Sequence, residues 1–175
     1  MKLRLATLDD VPELTALIER SVRVLQADTY TPAEIEGALG TLLGVDNQLI
    51  LDATYFVVEI DGRIAACGGW SKRAALFGSD TVTSSQPELL DPQSEPARIR
   101  AFFVHPDFVR RGIGTMLLRA SEQAAYEAGF RACEMGATLA GVPLYLKHGY
   151  EINGEMFAPL PNGERLRIIR MSKPL

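Results

Sequence analysis

The sequence predicts one α/β domain over residues 1–175, with a mixed central sheet of six to seven strands flanked by about four helices. Three observations carry this. Short alternating segments and longer segments of helical period follow one another in the order β-α-α-β-β-β-α-β-α-β-β. Asp61-Gly62 joins two strand-like segments as a hairpin, which makes them antiparallel. A strand, a helix and a strand run from Arg98 to Ala137, and that passage requires a parallel crossover inside a sheet otherwise built of hairpins.

Each element has a local reason. Lys2 to Thr7 alternates, with Leu3 and Leu5 on one face, and reads as a strand. Asp10 and Glu13 form a D-x-x-E capping signal, after which Leu14, Leu17, Ile18, Val22 and Leu25 recur at helical spacing. Thr31-Pro32-Ala33-Glu34 is a capping box with proline at the first helical position, opening a helix with Ile35, Ala38, Leu39 and Leu42 on its apolar face. Tyr55–Ile60 and Ile64–Trp70 are the hairpin strands. Arg73 to Pro96 is rich in Ser, Pro and Gly and has no sustained period, which predicts a long loop. Arg98 to Val104 is a strand. A helix from Gly112 to Ala128 is stopped by Gly129, with Phe130 closing the cap. Arg131 to Ala137 is a strand, Pro143 to Lys147 a short helix, Tyr150 to Asn153 a strand, and Arg165 to Met171 the last strand after the turn at Asn162-Gly163.

Composition narrows the function. The chain has 175 residues, 47% hydrophobic and 23% charged, which suits a single globular domain. A net charge of −4 gains little from phosphate backbones, so nucleic acid is not an expected partner. No apolar run approaches the roughly 20 residues that span a bilayer, and no signal-peptide core is seen, so no membrane partner and a cytoplasmic location are expected. Cys67 and Cys133 sit in apolar stretches and read as small buried hydrophobes. His105 and His148 lie near neither cysteine, so no metal site is expected.

The chemistry concentrates in His105-Pro106-Asp107-Phe108-Val109-Arg110-Arg111-Gly112-Ile113-Gly114-Thr115, which joins a strand to a helix. The first turn of a helix holds unpaired N–H groups and the positive end of the helix dipole. Gly112 and Gly114 remove side chains where a ligand could approach, and Arg110 and Arg111 add positive charge. This is an anion cradle. A dinucleotide fingerprint would need a third glycine where Leu117 stands, and the Gly-Lys-Ser/Thr of a Walker loop is absent.

With its surroundings the segment resembles the GNAT (Gcn5-related N-acetyltransferase) family. F-F-V-H-P, then V-R-R-G-I-G, then a long helix is similar to the family's strand, V-x-P turn and [QR]-x-x-G-x-[GA] helix start. P-L-Y-L-K-H-G-Y is similar to its L-Y-x-x-x-G-[FY], and the element order matches over nearly the whole chain. Val109 stands where the family often has Gln or Arg, and Thr138 where many members have Asn.

The resemblance implies acetyl-CoA as co-substrate and acetyl transfer to a primary amine by direct attack through a tetrahedral intermediate. Phe102, Phe103 and Val104 would line the pantetheine arm, with a backbone N–H, that of Val104, on the thioester carbonyl. Arg110, Arg111, Gly112, Ile113, Gly114 and Thr115 would hold the pyrophosphate by their amides, and Val109 and Thr138 would contact the cofactor. Tyr145 matches the general-acid tyrosine, whose phenol can protonate the leaving thiolate. For the base, Glu134 is the candidate, on the strand after the long helix. Tyr30, Trp70 and Arg73 are candidates for the acceptor pocket. A small-molecule amine is the expected acceptor. The alternatives are a protein or peptide amine, or a non-catalytic acyl-CoA-binding domain. Exposed edge strands in such a sheet would also invite a homodimer.

Overall fold

The computed structural model describes residues 1–78 and 87–175. In chain order it contains β1 (Lys2–Leu5), α1 (Val11–Leu25), α2 (Pro32–Ala38), α3 (Asn47–Leu51), β2 (Tyr55–Ile60), β3 (Arg63–Ser71), β4 (Ala97–Val104), α4 (Ile113–Glu127), β5 (Ala132–Thr138), α5 (Val142–Lys147), β6 (Glu151–Pro159) and β7 (Arg165–Pro174). The strands form one seven-stranded sheet in the order β1-β2-β3-β4-β5-β7-β6. β4 and β5 are parallel, the crossover through α4 that the sequence requires, and every other neighbouring pair is antiparallel. β1 and β6 are the two edges.

Helices cover both faces. On one face α1 buries Leu14, Leu17, Ile18 and Val22 against Tyr55, Val57, Cys67, Phe103 and Ile168. Full burial of such a side chain contributes about 1.5–3 kcal/mol. On the other face α4 buries Ile113, Leu117, Leu118 and Ala125. Strand alternation divides neighbours between the two cores: Ile168 faces α1, and Ile169 faces α4.

Local signals account for most boundaries. The Thr31 box forms as expected: Glu34 N–H donates to Thr31 Oγ1 at 3.2 Å, and Thr31 N–H donates to Glu34 Oε2 at 2.8 Å. α4 closes with Phe130 N–H on Ala125 O and Gly129 N–H on Tyr126 O, with Gly129 left-handed. Asp61 and Gly62 both take positive φ in the hairpin turn between β2 and β3.

Four expectations are corrected. Asp10 does not cap α1 with its side chain. Its carboxylate takes Arg4 and the Thr7 N–H, while Glu13 accepts from Ile64 N–H at 2.8 Å on the hairpin. The second helix ends at Ala38, because Leu39 turns extended and Gly40 left-handed. A further helix, α3, follows Asp46, whose carboxylate accepts from Leu49 N–H. β6 continues to Pro159, well beyond Asn153, by pairing with β7 through a register shift at Ile152/Gly154. Within the expected long loop, Arg73 bridges to Leu89, while residues 79–86 of that loop lie outside the described residues.

Candidate active site

The site begins with a sheet that opens. β4 and β5 pair only at Ala97↔Cys133 and Arg98↔Glu134 and then separate. A bulge contributes to the opening. From Cys67↔Phe103 to Gly69↔Arg100, β3 advances two residues and β4 three. The extra residue falls at Ala101, which is left-handed at φ 56°, and Tyr55 Oη donates to its carbonyl at 3.1 Å. Such a bulge bends and twists the strand that carries it. Gly68 makes room for this. A Cβ there would stand 2.6 Å from the Phe102 ring, so the room at Gly68 is taken up by the protein's own strand.

The gap therefore reaches both faces. On the α4 side it is lined by Phe102, Met135 and Tyr145, and on the α1 side by Gln26, Leu42, Leu43, Phe77, Thr138 and Ile168. Along β4, His105 N–H donates to Ala65 O at 2.8 Å, so by strand alternation the Val104 N–H points away from β3, toward the opening.

The start of α4 lies against α5, the helix that carries Tyr145. Gly112 is the N-cap of α4 and is left-handed at φ 77°, with nothing within 4 Å of where a Cβ would sit. A glycine offers no side-chain cap, and the first intrahelical bond runs from Met116 N–H to Gly112 O. The N–H groups of Ile113, Gly114 and Thr115 thus keep the anion-binding character of a helix start. Ile113 buries its side chain while its N–H belongs to the cradle. Arg110 is exposed and also left-handed, at φ 62°. Arg111 stacks over Phe108 and donates to Asp107 O, and Val109 is surface-exposed. Two contacts tie this turn to α5: a Cβ on Gly114 would lie 3.1 Å from Leu144, and Thr115 Oγ1 lies 3.0 Å from His148 Nε2.

α5 carries Tyr145 into the gap. Its ring is edge-on to Phe102 and to Tyr150. Burial raises its pKa above the usual phenol value, so the hydroxyl holds its proton at neutral pH. Among the described residues the hydroxyl has no hydrogen-bond partner.

Other expected residues lie elsewhere. Glu134 does not line the gap. Its carboxylate sits between Arg98, at 2.8 Å, and Arg170, so both of its oxygens are engaged by arginines outside the gap. Trp70 is buried in the α4-side core, edge-on to Phe130. Tyr30 is buried, donating to Arg167 O and accepting from Leu139 N–H, which braces the segment after β5. Arg73 pairs with Asp52 at 2.7 Å. Thr138 does reach the gap, as does Gln26, which sequence reasoning did not single out. So does Arg100, whose buried guanidinium donates to Asp46 at 2.8 Å and to Ala75 O and Gly78 O. Only the fold brings Gln26 and Arg100 together. Among the described residues no group of three His, Cys, Asp or Glu could hold a metal ion, and no helix is long and apolar enough to cross a membrane.

A mixed seven-stranded sheet of this order, with helices on both faces, has the acetyltransferase fold. The family model described as acetyltransferase (GNAT) domain matches residues 52–152, and the chain belongs to that family. Solved structures agree in fold. A GCN5-related N-acetyltransferase from Rhodopseudomonas palustris is 21% identical, with a TM-score of 0.75 over 99% of this chain and 95% of that one. PaiA N-acetyltransferase from Thermoplasma acidophilum, in complex with coenzyme A, is 12% identical with a TM-score of 0.67, covering 99% and 98%. YncA from Salmonella typhimurium, solved with acetyl-CoA, is 16% identical with a TM-score of 0.66, covering 100% and 94%. No curated protein matches the chain at significant similarity.

Proposed function

We propose that the protein transfers the acetyl group of acetyl-CoA to the primary amine of a small molecule. The observation that carries this is the opening between β4 and β5, which reaches both faces of the sheet and has the Tyr145 phenol in its wall. The residues suit the donor. An uncapped helix start is a phosphate site, and a strand edge with free polar groups can bind an extended amide-bearing arm as a further strand would. Ile113, Gly114 and Thr115 would hold the pyrophosphate by their N–H groups, with Arg110 nearby. Phe102, Phe103 and Val104 would flank the pantetheine.

Acetyl-CoA supplies an acetyl group activated as a thioester. The chain's own residues do the rest. The Val104 N–H is a donor for the carbonyl oxygen, where negative charge grows as the amine attacks directly. Tyr145 keeps its proton through burial and holds it ready for the departing sulfur. Glu134 is not assigned as base, and among the described residues no carboxylate or histidine lines the gap. The amine therefore enters as its free base or loses its proton through water. The described walls fit a small acceptor better than an open peptide groove, and a cytoplasmic location suits use of acetyl-CoA.

Thiol release from acetyl-CoA across a panel of amines and peptides tests this reading. Wild-type protein should acetylate a small primary amine, with the product seen by mass spectrometry. Binding of CoA without transfer to any acceptor would contradict it and favour an acyl-CoA-binding domain.

A further inference from the structure

The two mouths of the gap differ in chemistry. The α4 side carries the cradle and Tyr145, whereas the α1 side is walled by Leu42, Leu43, Phe77 and Ile168. The charge of Arg100 there is matched by Asp46. Among the described residues, Gln26 and Thr138 are the remaining polar side chains lining this side, and Gln26 is only 8% exposed. Its Nε2 donates to Thr138 Oγ1 at 3.1 Å, which orients the amide. Its Oε1 is buried with no hydrogen-bond partner. Native proteins leave few buried carbonyl oxygens unpaired, and one in the wall of a ligand chamber has its natural partner in a ligand donor.

Resting on the acetyl transfer proposed above, the geometry points to Gln26 as the residue that holds the acceptor. Its Oε1 accepts a hydrogen bond from the attacking amine, on the face opposite the one from which the thioester approaches. In the transfer the nitrogen forms the new C–N bond and the C–S bond breaks. One proton leaves nitrogen to water, the sulfur takes a proton from Tyr145, and the phenolate regains its proton from water, so amine and thioester become amide and thiol with no net change in protons. Gln26 takes none; it holds a second N–H and so aims the lone pair at the gap. The apolar walls and the internally matched Arg100 define the substrate class: a monoamine with a compact apolar body. A polyamine would bring further charges into a chamber whose described residues offer no carboxylate to meet them.

The test compares wild type, Gln26→Leu and Gln26→Glu with acetyl-CoA and four probes: 2-phenylethylamine, benzylamine, isopentylamine and spermidine. The expected result is preference for a monoamine over spermidine. Gln26→Leu should raise the KM of that monoamine about tenfold with the acetyl-CoA KM unchanged, and Gln26→Glu, which keeps an acceptor oxygen, should restore most of the loss. A merely structural role would move both KM values together and show no rescue. Should Gln26→Leu fail to fold, Gln26→Asn, which withdraws the same group, replaces it. An unchanged amine KM, parallel loss of acetyl-CoA binding, or preference for spermidine overturns the assignment while leaving acetyl transfer standing. Wild type that acetylates none of the probes overturns the assignment too, and the peptide acceptors of the broader panel then show whether acetyl transfer falls with it.

Discussion

The two sides of the β4–β5 gap are built by different means. The α4 side is made from consecutive residues: a strand, a turn and the first turn of a helix, offering backbone N–H groups in a row. The α1 side is made from single side chains on α1, the segment after α2, the loop after β3, β5 and β7. The first design fixes a ligand by local conformation. The second fixes it by how far-apart elements pack. This difference explains why a fold can keep one donor while its acceptor varies.

The largest effect should separate chemistry from binding. Tyr145→Phe removes the only group on α5 placed to give a proton, and turnover should fall by about 10²–10⁴. The acetyl-CoA Kd, measured by calorimetry, should hold, since the cradle is untouched. Next comes the cradle alone. Gly112→Val places a β-branched side chain at φ 77°, strain of about 1–3 kcal/mol, and acetyl-CoA affinity should drop on the order of tenfold or more. The acceptor side should answer more weakly. Thr138→Val frees the Gln26 amide, and the amine KM should rise by about threefold with little change in turnover.

The smallest effect lies outside both sides and is a control for them. The Asp10 carboxyl is lowered from 3.8 to about 2, chiefly by its hydrogen bond with Arg4. A lowered folded-state pKa stabilises the fold above the unfolded value, and that contribution fades as pH falls from about 4 through about 2. Asp10→Asn should cost about 1 kcal/mol at neutral pH by chemical denaturation, with the gap to wild type closing in acid, and should leave kinetic constants unchanged.

The same contrast governs what the sequence makes legible. Gly112, Gly129 and the Asp61-Gly62 turn act through their own backbone angles, so their roles can be read from neighbours a few residues away. Tyr145 follows from a local motif too. Gln26 has no such signal: its partner Thr138 is 112 residues distant, and its place at the end of α1 looks like any solvated helix terminus. Glu134, Trp70 and Arg73 were plausible by residue type, yet arginines, a buried aromatic core and Asp52 occupy them. α3 escaped notice because five residues make too short a periodic pattern, although the Asp46 cap stands before it. β6 extends past Asn153 because β7 pairs with it, a tertiary cause that alternation alone does not reveal.

The central claim is that one opening in the sheet receives the donor from the α4 side and the acceptor from the α1 side. A crystal structure with CoA bound tests it most directly. The account predicts the pyrophosphate on the N–H groups of Ile113 to Thr115, the pantetheine between β4 and β5, and the sulfur facing Tyr145 with the Gln26 side open beyond it. CoA lying outside the gap, or its sulfur turned away from Tyr145, would contradict it.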